Sequence, residues 1–329
     1  MESSECRFSV SGEKAIQTYA WALANPIAFV HEGVQNPLAA AALNGAPRHG
    51  LDRPGGGGHI PPPSARQTVH RLFREAPAVA NLSTNPRSET IRQARRDLAA
   101  ALRMADRLGF GEGVCNHFSF AVPGSDGLFL INPRRLHWSE VTASSLLLVD
   151  DDGALVEGDE PPEASAFYIH WRLHKAAPQA KCVLHTHMPH ATALTMLEDP
   201  TLLPLSQTSL MFHNEVSYDD AYNGLAGYRE EGDRIAAALG NRSTLFLANH
   251  GVIVTGGTVP LAWNRLYYLE RAAMHQVMAL STGKPLRPVP EDVAELTAQQ
   301  IAEDEADMAE NHFRSVHRIL ERECPEYRH

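Results

Sequence analysis

The sequence predicts a three-layer α/β/α fold, and three observations predict it. Short apolar runs with strand character gather in the middle of the chain, amphipathic stretches of helical period flank and interrupt them, and turn signals separate the two. Strands pairing in a central layer leave two faces for the helices to cover.

Residues 1–85 stand apart in texture. Gly45-Ala46-Pro47, Pro54-Gly55-Gly56-Gly57-Gly58 and Pro61-Pro62-Pro63 cannot bury enough surface to offset ordering entropy, so the segment reads as a flexible extension, with Trp21 and Phe29 the candidates for a short docking helix. A domain over residues 86–285 then opens with a helix. Ser88 is placed as its N-cap with Glu89 in the first turn, Ile91, Ala94, Leu98, Ala101, Leu102, Ala105 and Leu108 keep helical spacing, and Gly109 suits a C-cap.

Strands follow over 114–122, 127–131 and 146–149. Asp150-Asp151-Asp152-Gly153 resembles half of a calcium loop but lacks the later glutamate and the flanking helices, so it reads as a hairpin turn. Pro161 and Pro162 open a helix carrying Phe167, Ile169, His170 and Leu173, and a strand over 181–184 leads into a short helix over 189–197. A helix over 230–239, a strand over 244–248 and a long helix over 258–280 complete the domain; Trp263, Tyr267 and Tyr268 on the last suit core or subunit contacts. Pro288-Val289-Pro290 sets off a helical tail, residues 286–329, whose charged stretch 291–323 forms one or two helices on the domain or on a neighbour.

Composition narrows the function classes. With 329 residues and a net charge of −10, the chain reads as an acidic globular protein without a nucleic-acid partner. No window reaches the roughly 18 consecutive apolar residues of a membrane span. Met1-Glu2-Ser3-Ser4-Glu5 lacks the basic and apolar regions of a signal peptide, so the expectation is a cytoplasmic protein without a membrane partner. Cys6, Cys115, Cys182 and Cys324 show no Cys-x-x-Cys spacing; Cys115 and Cys182, in apolar runs, read as small buried hydrophobes.

The densest chemistry lies in Val183-Leu184-His185-Thr186-His187. Residues i and i+2 of a strand share a face, so His185 and His187 present two imidazoles side by side. Asn249-His250-Gly251, just after an apolar run, puts a third histidine where the chain turns out of the sheet. Three protein nitrogens with an open fourth position is the usual makeup of a catalytic metal site. A lone histidine at a strand end is more often a hydrogen-bonded residue than a ligand, and the His-x-His pairing is what shifts the reading towards a metal.

Taken together, His185-Thr186-His187, Asn249-His250-Gly251 and Asn116-His117-Phe118-Ser119 resemble the class II aldolase and adducin head-domain family over about residues 88–285. Phe129-Leu130-Ile131-Asn132-Pro133, Leu136-His137-Trp138-Ser139-Glu140 and Tyr267-Tyr268-Leu269-Glu270-Arg271-Ala272 resemble its adducin-type branch. The resemblance implies a central, mainly antiparallel sheet between helices and a homotetramer with active sites near subunit interfaces. It also implies a divalent metal on His185, His187 and His250, usually Zn2+, with Fe2+ or Mn2+ compatible with the same ligands. The implied chemistry is that of a metal-dependent lyase acting on a small polar carbonyl compound, a sugar phosphate or a hydroxy or oxo acid, through enolate stabilisation. The alternatives on this scaffold are a mononuclear non-haem iron oxygenase and a non-catalytic adducin-like oligomerising, cytoskeletal-binding domain, although this chain ends in an acidic region without adducin's basic tail.

One departure bears on mechanism. The sugar-phosphate aldolases carry an acid/base carboxylate in a Pro-Ser-Ser-Glu tetrad, which falls here on Glu163-Ala164-Ser165-Ala166, and alanine cannot move a proton. Glu163, one turn earlier, is the replacement candidate; its other reading is a first-turn acid. His117 and Tyr218 are further proton-transfer candidates, each also readable as a hydrogen-bonded structural residue, and His137 shares that ambiguity. For substrate binding the resemblance leaves Asn116, Ser119, Asn132 and Ser165, with Arg134 or Arg135 either clamping an anion or forming a solvated surface pair.

Overall fold

The computed structural model describes residues 86–125, 127–225 and 227–329. The expected flexible extension, with its docking-helix candidates, lies outside them. The elements run α1 (Pro86–Arg107), β1 (His117–Ala121), β2 (Phe129–Ile131), β3 (Leu147–Val149), β4 (Leu155–Glu157), α2 (Ala164–Ala176), β5 (Cys182–Thr186), α3 (Pro189–Thr195), β6 (Val216–Asp219), α4 (Arg229–Leu239), β7 (Thr244–Leu247), β8 (Gly251–Gly256), α5 (Val259–Ser281) and α6 (Glu291–Glu323).

The strands form one eight-stranded sheet in the order β4-β3-β2-β1-β5-β8-β7-β6. Every described pairing is antiparallel except β6 with β7, whose parallel alignment follows from the crossover through α4. Strand periodicity sorts the side chains between the two faces. Phe118, Phe120, Leu184, Phe246, Val252 and Val254 pack into a large core with residues of α1, α3, α5 and α6. Val183, Leu245, Leu247 and Ile253 point the other way, onto Ile169 and Leu173 of α2 and Ile235, Ala236 and Leu239 of α4. The predicted three-layer architecture with a mainly antiparallel sheet is the observed one.

Element ends differ from the sequence expectations in physically legible ways. Helix α1 begins at Pro86, so Ser88 lies inside it rather than at its cap. At its far end Gly109 has φ +72° and donates to Asp106 O at 2.9 Å, while Phe110 N donates to Ala105 O at 2.9 Å, closing the helix as a C-terminal glycine does. Asp150 organises the expected hairpin turn, its carboxylate accepting from Asp152 N at 3.0 Å and Ala154 N at 2.8 Å. Strand β1 starts only at His117, which leaves Cys115 exposed instead of buried; Cys182 is buried in β5 as expected.

The acidic tail is a single 33-residue helix packed on its own chain. Phe313, Val316 and Leu320 join the main core, and Arg265 of α5 forks onto Glu305 at 2.7 and 2.6 Å. His317 bridges Asp97 of α1 at 2.9 Å and the Tyr327 hydroxyl at 2.7 Å. No helix among the described residues is long and apolar enough to cross a membrane.

Candidate metal centre

Strand β5 ends at Thr186 with β8 antiparallel beside it, so the turn before β8 delivers His250 to the same end of the sheet as His185 and His187. The three rings converge, with centroids 5.1 Å apart for His185 and His187, 4.8 Å for His185 and His250, and 4.9 Å for His187 and His250. One ligand atom from each lies within 4.8 Å of the others.

Local backbone chemistry makes that convergence possible. Asn249 adopts φ +54° and Asn116 φ +72°, left-handed conformations that asparagine tolerates better than most residues. Gly251 is required by a close approach: a Cβ there would stand 2.6 Å from His187 Cδ2 and 2.6 Å from Thr186 O.

The backs of two rings are tied down. His185 Nδ1 faces Val252 O at 3.1 Å and His187 Nδ1 is paired with the Glu112 carboxylate, outer contacts that occupy Nδ1 and leave Nε2 of each ring as the nitrogen available to an ion. His187 Nε2 is buried without a hydrogen-bond partner among the described residues, and the His187 backbone N–H donates to Asn116 Oδ1 at 3.3 Å. Just beyond, the buried Glu270 carboxylate of α5 accepts from His190 N at 2.9 Å and Ala191 N at 3.0 Å, fixing the start of α3.

Burial, reinforced by the rings of His250 and His187, holds the His185 pKa well below the usual histidine value. Burial and then the neighbouring His187 push His250 down to about 4. Neutral imidazoles at physiological pH are what a divalent cation needs, and the orphaned His187 Nε2 fits such a ligand.

The other predicted residues divide. Asn116 is buried beside His187 with its Nδ2 unpartnered among the described residues, and Asn132 backs it, accepting from Phe118 N at 2.8 Å and donating to Asn116 O at 3.4 Å. His117 is the register partner of His185, and register partners in adjacent strands point to one face. Burial lowers its pKa to about 4 against the opposing charge of Glu163. Glu163 itself is the N-cap of α2, its carboxylate accepting from Ala166 N at 3.0 Å and from the Ser165 hydroxyl, so both residues are engaged in capping.

The remaining candidates are placed elsewhere or occupied. Tyr218 aligns with Phe246 on the core face opposite His185, and its hydroxyl accepts from Leu202 N at 2.9 Å. Tyr222, which no sequence motif marks, is the tyrosine beside the site, its ring centroid 6.4 Å from that of His250. Ser119 is fully buried and its hydroxyl is shared between His170 Nδ1 at 2.6 Å and His174 Nε2 at 2.7 Å, so it is engaged within the protein. Arg134 and Arg135 are exposed and pair with Glu160 at 3.7 and 2.9 Å. His137 caps the short 3-10 helix Trp138–Glu140.

The family model for the class II aldolase and adducin N-terminal domain matches residues 96–277. The chain belongs to that family. A Caulobacter vibrioides protein provisionally named a class 2 aldolase is 40% identical over 60% of this chain and 76% of its own. A Streptomyces roseochromogenus protein named 4-hydroxy-3-prenylphenylpyruvate oxygenase/4-hydroxy-3-prenylbenzoate synthase is 32% identical over 62% of this chain and 73% of its own. Among solved structures, an aldolase II superfamily protein from Pseudomonas syringae superposes with a TM-score of 0.69 at 34% identity, covering 75% of this chain and 98% of that one. The matched family domain contains all three histidines. Nothing in the sequence marks Glu112 as a partner of His187, and Gly251 is visible there only as part of the Asn-His-Gly turn.

Proposed function

We propose that the chain is a divalent-metal-dependent lyase of the class II aldolase type, acting on a small polar carbonyl compound such as a sugar phosphate or a hydroxy or oxo acid. The observation that carries this reading is the trio His185, His187 and His250, with outer partners on the first two and the buried Nε2 of His187 without a hydrogen-bond partner among the described residues. Zn2+ is the proposed ion, and it would supply Lewis-acid stabilisation of the oxyanion formed when a carbon-carbon bond breaks. Asn116 Nδ2 would donate to a substrate oxygen, and His117, on the ligand face of β1, would hold or move the proton that Ala166 cannot. A cytoplasmic homotetramer is the assembly proposed with this reading, and light scattering tests its size.

An iron-dependent oxygenase is the second reading. It is favoured by an all-histidine site with alanine at residue 166 and by the likeness to a relative with an oxygenase name. Metal analysis of protein purified without added metal separates the two. Zinc or manganese at one ion per chain supports the lyase, and stoichiometric iron with oxygen-dependent turnover replaces it with the oxygenase. Unchanged metal content in His187→Ala would remove the site altogether.

A further inference from the structure

The buried face of α2 carries a chain of polar contacts that the proposed chemistry does not use. Ala180 O is within 2.8 Å of His174 Nδ1, His174 Nε2 within 2.7 Å of Ser119 Oγ, and Ser119 Oγ within 2.6 Å of His170 Nδ1. A carbonyl oxygen can only accept, so His174 Nδ1 must carry its proton. In neutral His174 the Nε2 then accepts, which makes the Ser119 hydroxyl the donor and leaves its oxygen to accept from His170 Nδ1–H. The polarity set at Ala180 therefore runs one way along the chain and ends in a lone pair on His170 Nε2.

That lone pair is buried, in a residue only 1% exposed, and meets no partner among the described residues. An acceptor left empty in such a place bears the full cost of its desolvation, so its persistence calls for a donor. The nearest imidazole in contact with this ring is that of His117, perpendicular to it at 6.2 Å between centroids and 86° between planes. At that separation the ring nitrogens lie beyond direct hydrogen-bond reach, so a donor from His117 would need one intervening water to meet the lone pair. His170 also lies one helical turn after Ala166, on the same side of α2.

We propose that His170 is a positioning residue: its Nε2 lone pair accepts, through one water, the N–H of His117 and so turns the unprotonated nitrogen of His117 towards the substrate. This rests on the reading of His117 as the proton-moving group of the metal site. The nitrogen so presented can take a proton from a substrate carbon or hydroxyl, the bonding pair remaining on the substrate. The chain thereby supplies through two imidazoles what a carboxylate at residue 166 would supply directly.

The test is long-range proton–nitrogen NMR of the full chain labelled with 15N-histidine, loaded with zinc, in the wild type and in His170→Leu, His170→Gln and Ser119→Ala. The expected wild-type spectrum has His170 and His174 protonated at Nδ1 and His117 in a single tautomer. His170→Leu removes the acceptor and turns His117 into a tautomer mixture, and His170→Gln, whose amide oxygen accepts in place of Nε2, restores the single form. If the leucine variant does not fold, Ser119→Ala carries the test, with His170 expected to lose its fixed Nδ1 proton. A wild-type His170 protonated at Nε2, or a His117 tautomer indifferent to all three substitutions, overturns the proposal. Zinc affinity, measured by chelator competition, is expected to stay within about threefold of wild type, because no ligand contact is removed. Wild-type protein that binds no zinc would sink the metal reading, while the tautomers still decide the chain.

Discussion

Gly251 stands directly against the ring of His187, close enough that a single methyl at its Cα would lie 2.6 Å from Cδ2. Gly251→Ala is therefore expected to displace one ligand and, because the same methyl would stand 2.6 Å from Thr186 O, to press on the end of β5 as well. Zinc affinity should fall by about 10- to 100-fold, the range in which ligand misorientation usually acts. Chelator competition on folded variant protein measures it, and wild-type affinity would show that the ring yields without cost.

Glu112 is the carboxylate behind His187. Glu112→Gln keeps the shape and removes the charge, so it should also weaken metal binding by roughly 10-fold or more. The same chelator assay reads the loss. An unchanged affinity would mean that the Glu112 contact does not orient the ring for the metal.

Acid should destabilise the metal-free fold in a defined window. Burial holds the folded-state pKa of His174 down to about 4 and that of His170 well below the usual histidine value. Both lie below the unfolded value of about 6.5, so the unfolded chain binds more protons in between, and stability is full above about pH 6.5 and declines as pH falls towards 4. Thermal midpoints of chelator-treated protein at pH 7, 6 and 5 should fall in that order. A flat profile over this range would contradict the buried neutral imidazoles.

The tail helix is expected to be part of the cooperative fold. Phe313 is 2% exposed and packs near Trp263, so Phe313→Ala should cost about 3–5 kcal/mol in denaturant unfolding. A loss under about 1 kcal/mol would mean that α6 frays independently of the core.

Much of the architecture can be read from the chain because alternation and helical spacing act locally. Phe118 and Phe120 alternate with Ser119 as a strand requires, and Leu98, Leu102 and Ala105 repeat as a buried helix face. The three imidazoles are legible for the same reason, each lying at or next to an apolar strand. What the sequence conceals is long-range. Ser119 looks like a free hydroxyl until α2 brings His170 and His174 across it, and Tyr218 differs from Tyr222 only by which face of β6, or which loop beyond it, carries the ring. Glu112 meets His187 across 75 residues of chain, a pairing that no spacing rule encodes.

The grip of Glu270 on the first residues of α3 gives the metal site two frames of reference. His185 and the turn bearing His250 take their positions from the sheet, whereas the segment just after His187 is pinned to a helix of the covering layer. A small slide of α5 across the strands would thus reach the metal site through the residues that follow His187 and not through His185 or the turn bearing His250.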